Sequence, residues 1–397
     1  MLVILTSHPI QYQAPLWRAL AHDGRVPFEV WFLTDHAVKP THDREFGKSF
    51  AWDSNLLDGY SYRFLPVRIG WQMDRFRGIH VSESWSKLFK EHGVTRLWVE
   101  GWRFSENWAA VCAARRAGVE VWMRGETNDL LHRSASLRET IRRFLLRQLF
   151  SRIHRFLCIG SANRRFYQSF GISSERLESA PYCVENRRFA EKAVDLRSRR
   201  LQIRRDWGIP DDKFCVLFCG KFIAKKRPMD LIAALGQLDG KRFHALFVGS
   251  GELESEMLAK IDPIYLHGKL RKVEEGPRPK ASFAGFLNQS AIVEAYVAAD
   301  CLVLASDFGE TWGLVANEAM AAGLPCIASD QCGCAEDLVH PIFPEGIFKT
   351  GNFSQLAAAI QNLEKHPVPG EAIRSLIDRF SIRETVNTVA TLSGSWP

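Results

Sequence analysis

Short, unbroken apolar runs separated by amphipathic stretches frame this chain. Residues 1–5 (Met-Leu-Val-Ile-Leu) show no alternation, the pattern of a parallel strand covered on both faces. Similar runs at 28–33, 96–99, 119–123 and 155–159 predict further strands, with helices over roughly 13–22, 105–117 and 136–151. Strand and helix alternate, which predicts a doubly wound parallel sheet. A polar, Arg-rich segment from Asn186 to Arg205 reads as a linker and the first helix of a second domain. The alternation then restarts, with strands at 214–219, 243–248, 282–285, 301–304 and 325–328 and helices at 228–238, 252–260, 289–298, 314–322 and 353–363. The basic stretch 269–281, with its prolines, reads as a surface loop before a strand.

A chain of 397 residues, 46% of them hydrophobic, exceeds what one core usually serves, so two domains are expected. The net charge of +7 suits phosphate-rich small molecules, nucleic acid or an anionic membrane surface. No aromatic and basic residues interleave as in a nucleic-acid module, which argues against nucleic acid. No run of 18 apolar residues and no signal-peptide pattern occurs, so a cytoplasmic, non-spanning protein is expected. The nine cysteines lie mostly in apolar stretches and read as reduced thiols, with Cys332-Gly333-Cys334 a tight turn rather than a metal or redox pair. The tryptophans read as core and interface residues rather than a sugar platform.

The densest candidate chemistry is Glu310-Thr-Trp-Gly-Leu-Val-Ala-Asn-Glu318, after the strand 301–304 and opening a helix. Ligands of open parallel sheets collect beyond the carboxyl ends of strands, where a glycine such as Gly313 lets backbone N–H groups reach phosphate. Two carboxylates there can accept hydrogen bonds from paired hydroxyls at the two ends of a diphosphate. Gly220-Lys221-Phe-Ile-Ala-Lys225-Lys226-Arg227-Pro228 places a glycine and four cations after strand 214–219, where positive charge stabilises a departing diphosphate. No Asp-x-Asp occurs, which fits catalysis without a metal. Gly249-Ser-Gly251-Glu-Leu-Glu254 is a strand-to-helix turn, but Glu254 stands where a dinucleotide fingerprint wants Gly or Ala, so it suits a turn skirting a nucleotide. In the first half, His8, Gln11 and Tyr12 follow the first strand, and Arg124-Gly125-Glu126 follows strand 119–123.

The run Gly220–Pro228, the turn Val248–Gly251 and above all Phe308 to Leu338 resemble the retaining GT-B glycosyltransferases of glycosyltransferase family 4, marked by two glutamates separated by seven residues. Pro181-Tyr-Cys-Val-Glu-Asn186 is similar to the interdomain segment of that family, with its glycine and aspartate replaced. The resemblance implies an α/β GT-B fold of two Rossmann-like doubly wound domains facing a cleft. It divides the chain into an acceptor-binding domain (1–188), a nucleotide-sugar donor domain (189–375) and a C-terminal helix (376–397) crossing back. It implies that Lys226, with Lys221, binds diphosphate, Glu318 binds the ribose and Glu310 contacts the donor sugar. Backbone groups of Gly313, Leu314 and Val315 would cradle phosphate, with Gly220, Gly249, Gly251 and Glu336 shaping the pocket. From topology alone, Arg124 would neutralise phosphate and Glu126 would position the acceptor, with His8, Gln11 and Tyr12 on the acceptor side.

The sequence departs from that family at Arg227, Cys332 and the Ser7–Tyr12 loop, which leaves acceptor recognition the least transferable part. The expected reaction is retaining transfer of a hexose-type sugar from a nucleoside diphosphate to a saccharide or lipid-linked acceptor, in surface polysaccharide or glycolipid assembly, with no metal cofactor. A nucleotide-sugar epimerase and a binding module without turnover are the alternatives. Finally, 133–155 carries seven arginines against Glu139, while Leu137, Ile141, Phe144, Leu145 and Leu149 recur at helical spacing. That apolar stripe is expected to pack on the sheet, with the arginine face turned to water or to the anionic inner face of the plasma membrane.

Overall fold

The computed structural model describes residues 1–36, 41–43, 48–50, 55–69, 75–130, 136–272, 276 and 278–394. They form two compact units, each on its own sheet. The first contains β1 (Leu2–Thr6), β2 (Phe28–Phe32), β5 (Tyr62–Phe64), β8 (Arg96–Glu100), β9 (Glu120–Arg124), β10 (Arg155–Cys158) and β11 (Leu177–Ser179). Two short ribbons lie apart from that sheet, β3 (Thr41–Asp43) with β4 (Lys48–Phe50), and β6 (Val67–Ile69) with β7 (Ile79–Val81). Among the described residues the sheet is all parallel, in the order β11-β10-β9-β8-β1-β2-β5.

The unbroken apolar character of β1 has a direct cause. Leu2 and Ile4 join one core with Trp17, Val30 and Trp98, whereas Val3 and Leu5 join another with Trp31, Phe150 and Tyr167. Side chains alternate across a strand, so a central strand between two helical layers has no face left for polar residues. Trp17, Trp31, Trp98 and Trp122 are fully buried. The last helix, Ile382–Gly394, belongs to this unit, with Val386, Val389 and Leu392 packed beside Leu2 and Ile4. Thr388 Oγ1 also donates to the Ser179 carbonyl at 2.6 Å.

The second unit holds β12 (Phe214–Cys219), β13 (Phe243–Val248), β14 (Asp262–Leu266), β15 (Lys269–Leu270), β16 (Lys280–Gly285), β17 (Cys301–Leu304), β18 (Cys326–Ser329) and β19 (Ile347–Phe348). Their order is β15-β14-β16-β13-β12-β17-β18-β19, and every pairing is parallel except β14 with β15. The order runs outward from β12 through β17, β18 and β19 on one side and through β13 on the other, where β16 inserts between β13 and β14.

Three expectations are corrected. The segment 186–205 contains no extended linker: Asn186–Arg197 and Arg200–Asp206 are both helical, with Phe189, Ala193, Leu196 and Ile203 buried. The stretch 269–281 contributes Lys269–Leu270 as β15 and begins β16 at Lys280, while residues 273–275 and 277 lie outside the described residues. A place at or next to the sheet edge explains the miss, since β15 and its neighbour β14 carry polar residues that an apolar-run criterion rejects. The helix Leu137–Phe150 buries Leu146, Leu149 and Phe150 rather than the whole expected stripe, and leaves Leu137, Ile141, Phe144 and Leu145 exposed.

Candidate functional site

In the second unit, two adjacent strands end on glycine-rich turns. Gly220 follows β12, and Gly249 and Gly251 follow β13. These turns are joined by backbone hydrogen bonds, Gly220 N to Val248 O and Phe222 N to Ser250 O, both 2.9 Å. Packing is so close that a Cβ on Gly249 would lie 1.9 Å from the Gly220 carbonyl oxygen. Glycine is therefore required there by steric contact as well as by its φ of +141°. The Glu254 carboxylate bonds the His267 imidazole Nε2.

Gly313 caps the helix Leu314–Ala321 with φ of +103°, and a Cβ there would meet Leu304 Cδ2 at 2.7 Å. Leu314 and Val315 stand in the first turn, where N–H groups lack intrahelical acceptors. The turn from Cys332 is bonded to the segment before the helix, with Gly333 N donating to the Glu310 carbonyl (3.3 Å) and Cys334 N to that of Trp312 (3.1 Å). Both cysteines are buried, and burial pushes the Cys332 thiol up to about 12, so neither is a reactive thiolate. Glu336 is exposed on the following turn.

Lys226 Nζ forms a close ion pair with Glu310 Oε2, which also accepts from Ser306 Oγ at 3.1 Å. Gln289 Nε2 donates to one oxygen of Glu318 (3.2 Å) and the Tyr296 hydroxyl to the other (2.6 Å). Burial raises the Glu318 carboxyl above its ordinary range, and these two donors oppose that shift. Lys221 and Lys225 lie on the same loop, and the Lys225 carbonyl accepts from Asp307 N at 2.9 Å. Arg227 has φ of +50°, and its guanidinium pairs with Asp230 at 2.7 and 3.0 Å, so its charge is committed within its own turn. Sequence reasoning missed Ser306, Gln289 and Tyr296, which orient the two glutamates from other segments.

In the first unit, β1, β8 and β9 also end together. Glu126 accepts from the Tyr12 hydroxyl at 3.3 Å and more closely from that of Tyr182. Arg124 is 4% exposed, and its guanidinium donates to the Ala180 and Pro181 carbonyls, both at 3.3 Å, and lies over the Tyr182 ring. This geometry holds the chain at Pro181 and leaves the expected phosphate contact without support. Glu100 is the register partner of Arg124, and burial raises its carboxyl to about 7. His8 bonds Ser7 Oγ at 2.8 Å, and burial first, then His36 and Arg103, lower its imidazole to about 4. Gln11 is partly buried in the same loop. Glu100 carries no motif, and although Tyr182 lies in the Pro181–Asn186 segment, nothing in its spacing showed that it reaches Glu126.

Residues 199–378 match the family model described as glycosyl transferases group 1. An uncharacterized glycosyltransferase of Methanocaldococcus jannaschii is 31% identical over 144 residues, covering 36% of this chain and 34% of that protein. The chain spans about a third to a half of the length of the curated relatives it matches. A solved structure, Alr3699/HepE of Anabaena in complex with UDP, is 17% identical with a TM-score of 0.68 over 100% of both chains. The lipopolysaccharide outer core galactosyltransferase WaaB is 16% identical with a TM-score of 0.66, over 99% of this chain and 100% of that one. Residues 199–378 are thus similar to the glycosyl transferases group 1 family, and the chain has the α/β GT-B fold of two Rossmann-like domains.

Proposed function

We propose that the protein is a glycosyltransferase that moves a sugar from a nucleoside diphosphate to an acceptor hydroxyl with retention at the anomeric carbon. The observation carrying this reading is the Lys226–Glu310 ion pair at the end of β12, beside the Gly313-capped helix that also bears Glu318. A cation at that spot meets the charge that develops on a departing diphosphate. Exchange of Glu310 for phosphate as the partner of Lys226 frees the carboxylate to accept hydroxyls of the donor sugar. Glu318, held by Tyr296 and Gln289, accepts from the ribose.

The acceptor oxygen bonds to the anomeric carbon as the bond to the diphosphate breaks, and the acceptor proton passes to the leaving phosphate oxygen. Departure and attack on one face of the sugar retain its configuration. No metal enters the proposal, so transfer should survive a chelator. His8, Gln11, Tyr12 and Glu126 are assigned to the acceptor, a saccharide or lipid-linked saccharide of surface polysaccharide or glycolipid assembly. A thermal-shift screen over nucleoside diphosphates and their sugars tests the donor, because a ligand binding only the native state raises Tm. No shift with any nucleoside diphosphate defeats the reading; release of an epimerised donor without acceptor favours the epimerase instead.

A further inference from the structure

The helix Leu137–Phe150 is apolar on two opposite faces. At about 100° per residue, Leu146, Leu149 and Phe150 form one face, which is buried against the first unit. Leu137, Ile141, Phe144 and Leu145 fall within about 100° of one another on the other side. Their exposures are 77%, 51%, 59% and 47%. Four large apolar side chains at helical spacing in water constitute a patch that calls for an occupant.

The flanking charges identify it. Arg138 borders the patch on one side and Arg147 on the other; both are exposed and make no ion pair among the described residues. The neighbouring arginines are engaged with the protein: Arg142 pairs with Glu139 at 2.9 Å, Arg143 donates to the Ser169 carbonyl at 2.9 Å and covers the Phe170 ring, and Arg155 lies 3.4 Å from Glu178. Arg133 lies outside the described residues. A second copy of this face would bring like charges together around the apolar contact, with no free carboxylate to meet them. An anionic bilayer meets both demands at once, taking the apolar side chains into the headgroup boundary and pairing the guanidiniums with phosphates.

We infer that Leu137, Ile141, Phe144 and Leu145, flanked by Arg138 and Arg147, form a membrane-docking face for anionic lipid. This inference is independent of the donor site, since it needs neither nucleotide nor acceptor. It places a lipid-linked acceptor within reach of the enzyme although no helix among the described residues is long and apolar enough to span a bilayer.

The test uses the full chain with vesicles of phosphatidylglycerol and phosphatidylcholine, or phosphatidylcholine alone, at low and high salt. Wild-type protein should co-sediment with the mixed vesicles at low salt and not with phosphatidylcholine alone. Ile141→Ser with Phe144→Ser, and separately Arg138→Gln with Arg147→Gln, should each weaken that binding at least tenfold. Both variants should keep the wild-type thermal shift with nucleoside diphosphate, which separates loss of docking from loss of fold or of the donor reading. Three results would overturn the inference: wild type ignoring anionic vesicles at low salt, variants that bind as wild type does, or wild-type self-association abolished by the serine variant.

Discussion

The carboxyl ends of the two sheets are furnished by different means. In the second unit the edge is built from backbone: Gly249 and Gly313 permit approaches that any Cβ would block, and few side chains, Lys226, Glu310 and Glu318, supply charge. In the first unit the edge is built from packed side chains, with Tyr12, Tyr182 and Arg124 enclosing Glu126 and Glu100. A backbone site suits a ligand portion common to many donors, the diphosphate, because N–H groups read charge rather than identity. A side-chain site can change by substitution alone, as recognition of varied acceptors demands.

Disabling the charged edge should have the largest effect. Lys226→Ala is expected to lower the transfer rate at least tenfold, since a charge-assisted contact contributes about 1.5–3 kcal/mol. Transfer assays with and without chelator check this, and rescue of chelator-treated enzyme by magnesium would refute the metal-free step. Glu318→Ala should weaken nucleoside-diphosphate affinity about tenfold by calorimetry, for it removes the acceptor that Tyr296 and Gln289 orient. Glu310→Gln should lower turnover more than that affinity, and equal effects on both would collapse the division of labour between the two glutamates.

The same contrast decides what was legible in the sequence. Gly313, Lys226 and the two glutamates stand out because a tight strand-to-helix turn compresses its requirements into consecutive positions. The buried strands were equally plain, since β1, β9, β12 and β13 are apolar without alternation. The edge strands β5 and β15, and β14 beside β15, were not, being partly solvated and short. Tyr182 reaches Glu126 from 56 positions away. Contacts of that kind depend on how sheet and loops fold together, and no local spacing records them. The outward face of Leu137–Phe150 was misread for a related reason: helical periodicity shows that a stripe exists but not which of two apolar faces meets the core.

A smaller effect is expected from the side-chain edge. Tyr182→Phe removes one of the two hydroxyls that hold Glu126 and leaves the glycine turns untouched. Because that hydroxyl only orients Glu126, which Tyr12 still holds, the expected loss is that of an ordinary hydrogen bond, about 0.5–1.5 kcal/mol or about two- to tenfold. Acceptor KM should rise by that factor while nucleoside-diphosphate affinity stays at the wild-type value. An equal loss of nucleotide affinity would dissolve the distinction drawn between the units.

The smallest effect concerns the interior of the second unit, and it sharpens the contrast with His8. His244 is fully buried, and Ser282 Oγ donates its proton to the Trp207 carbonyl at 2.6 Å. That hydroxyl must therefore accept from His244 Nε2, 2.9 Å away, which places a proton on Nε2 and leaves Nδ1 buried with no hydrogen-bond partner among the described residues. Burial, aided by Lys213 and Arg204, lowers this imidazole from 6.5 to about 3. A base with a lowered folded pKa contributes full stability above the unfolded value. That stability is lost as pH falls from 6.5 toward 3, because only the unfolded chain takes up the proton. Between pH 7 and pH 5.5 the cost is about 1 kcal/mol, from about 1.4 kcal/mol per pH unit below the unfolded value. His8, lowered to about 4, acts in the same direction, but it is partly exposed and its share is smaller. Urea unfolding at the two pH values should show a change less favourable by about 1 kcal/mol in wild type than in His244→Leu, because the opposing proton uptake of Glu100, raised to about 7, and the share of His8 are common to both proteins. An unchanged pH dependence in His244→Leu would mean that burial does not hold the imidazole neutral in the fold.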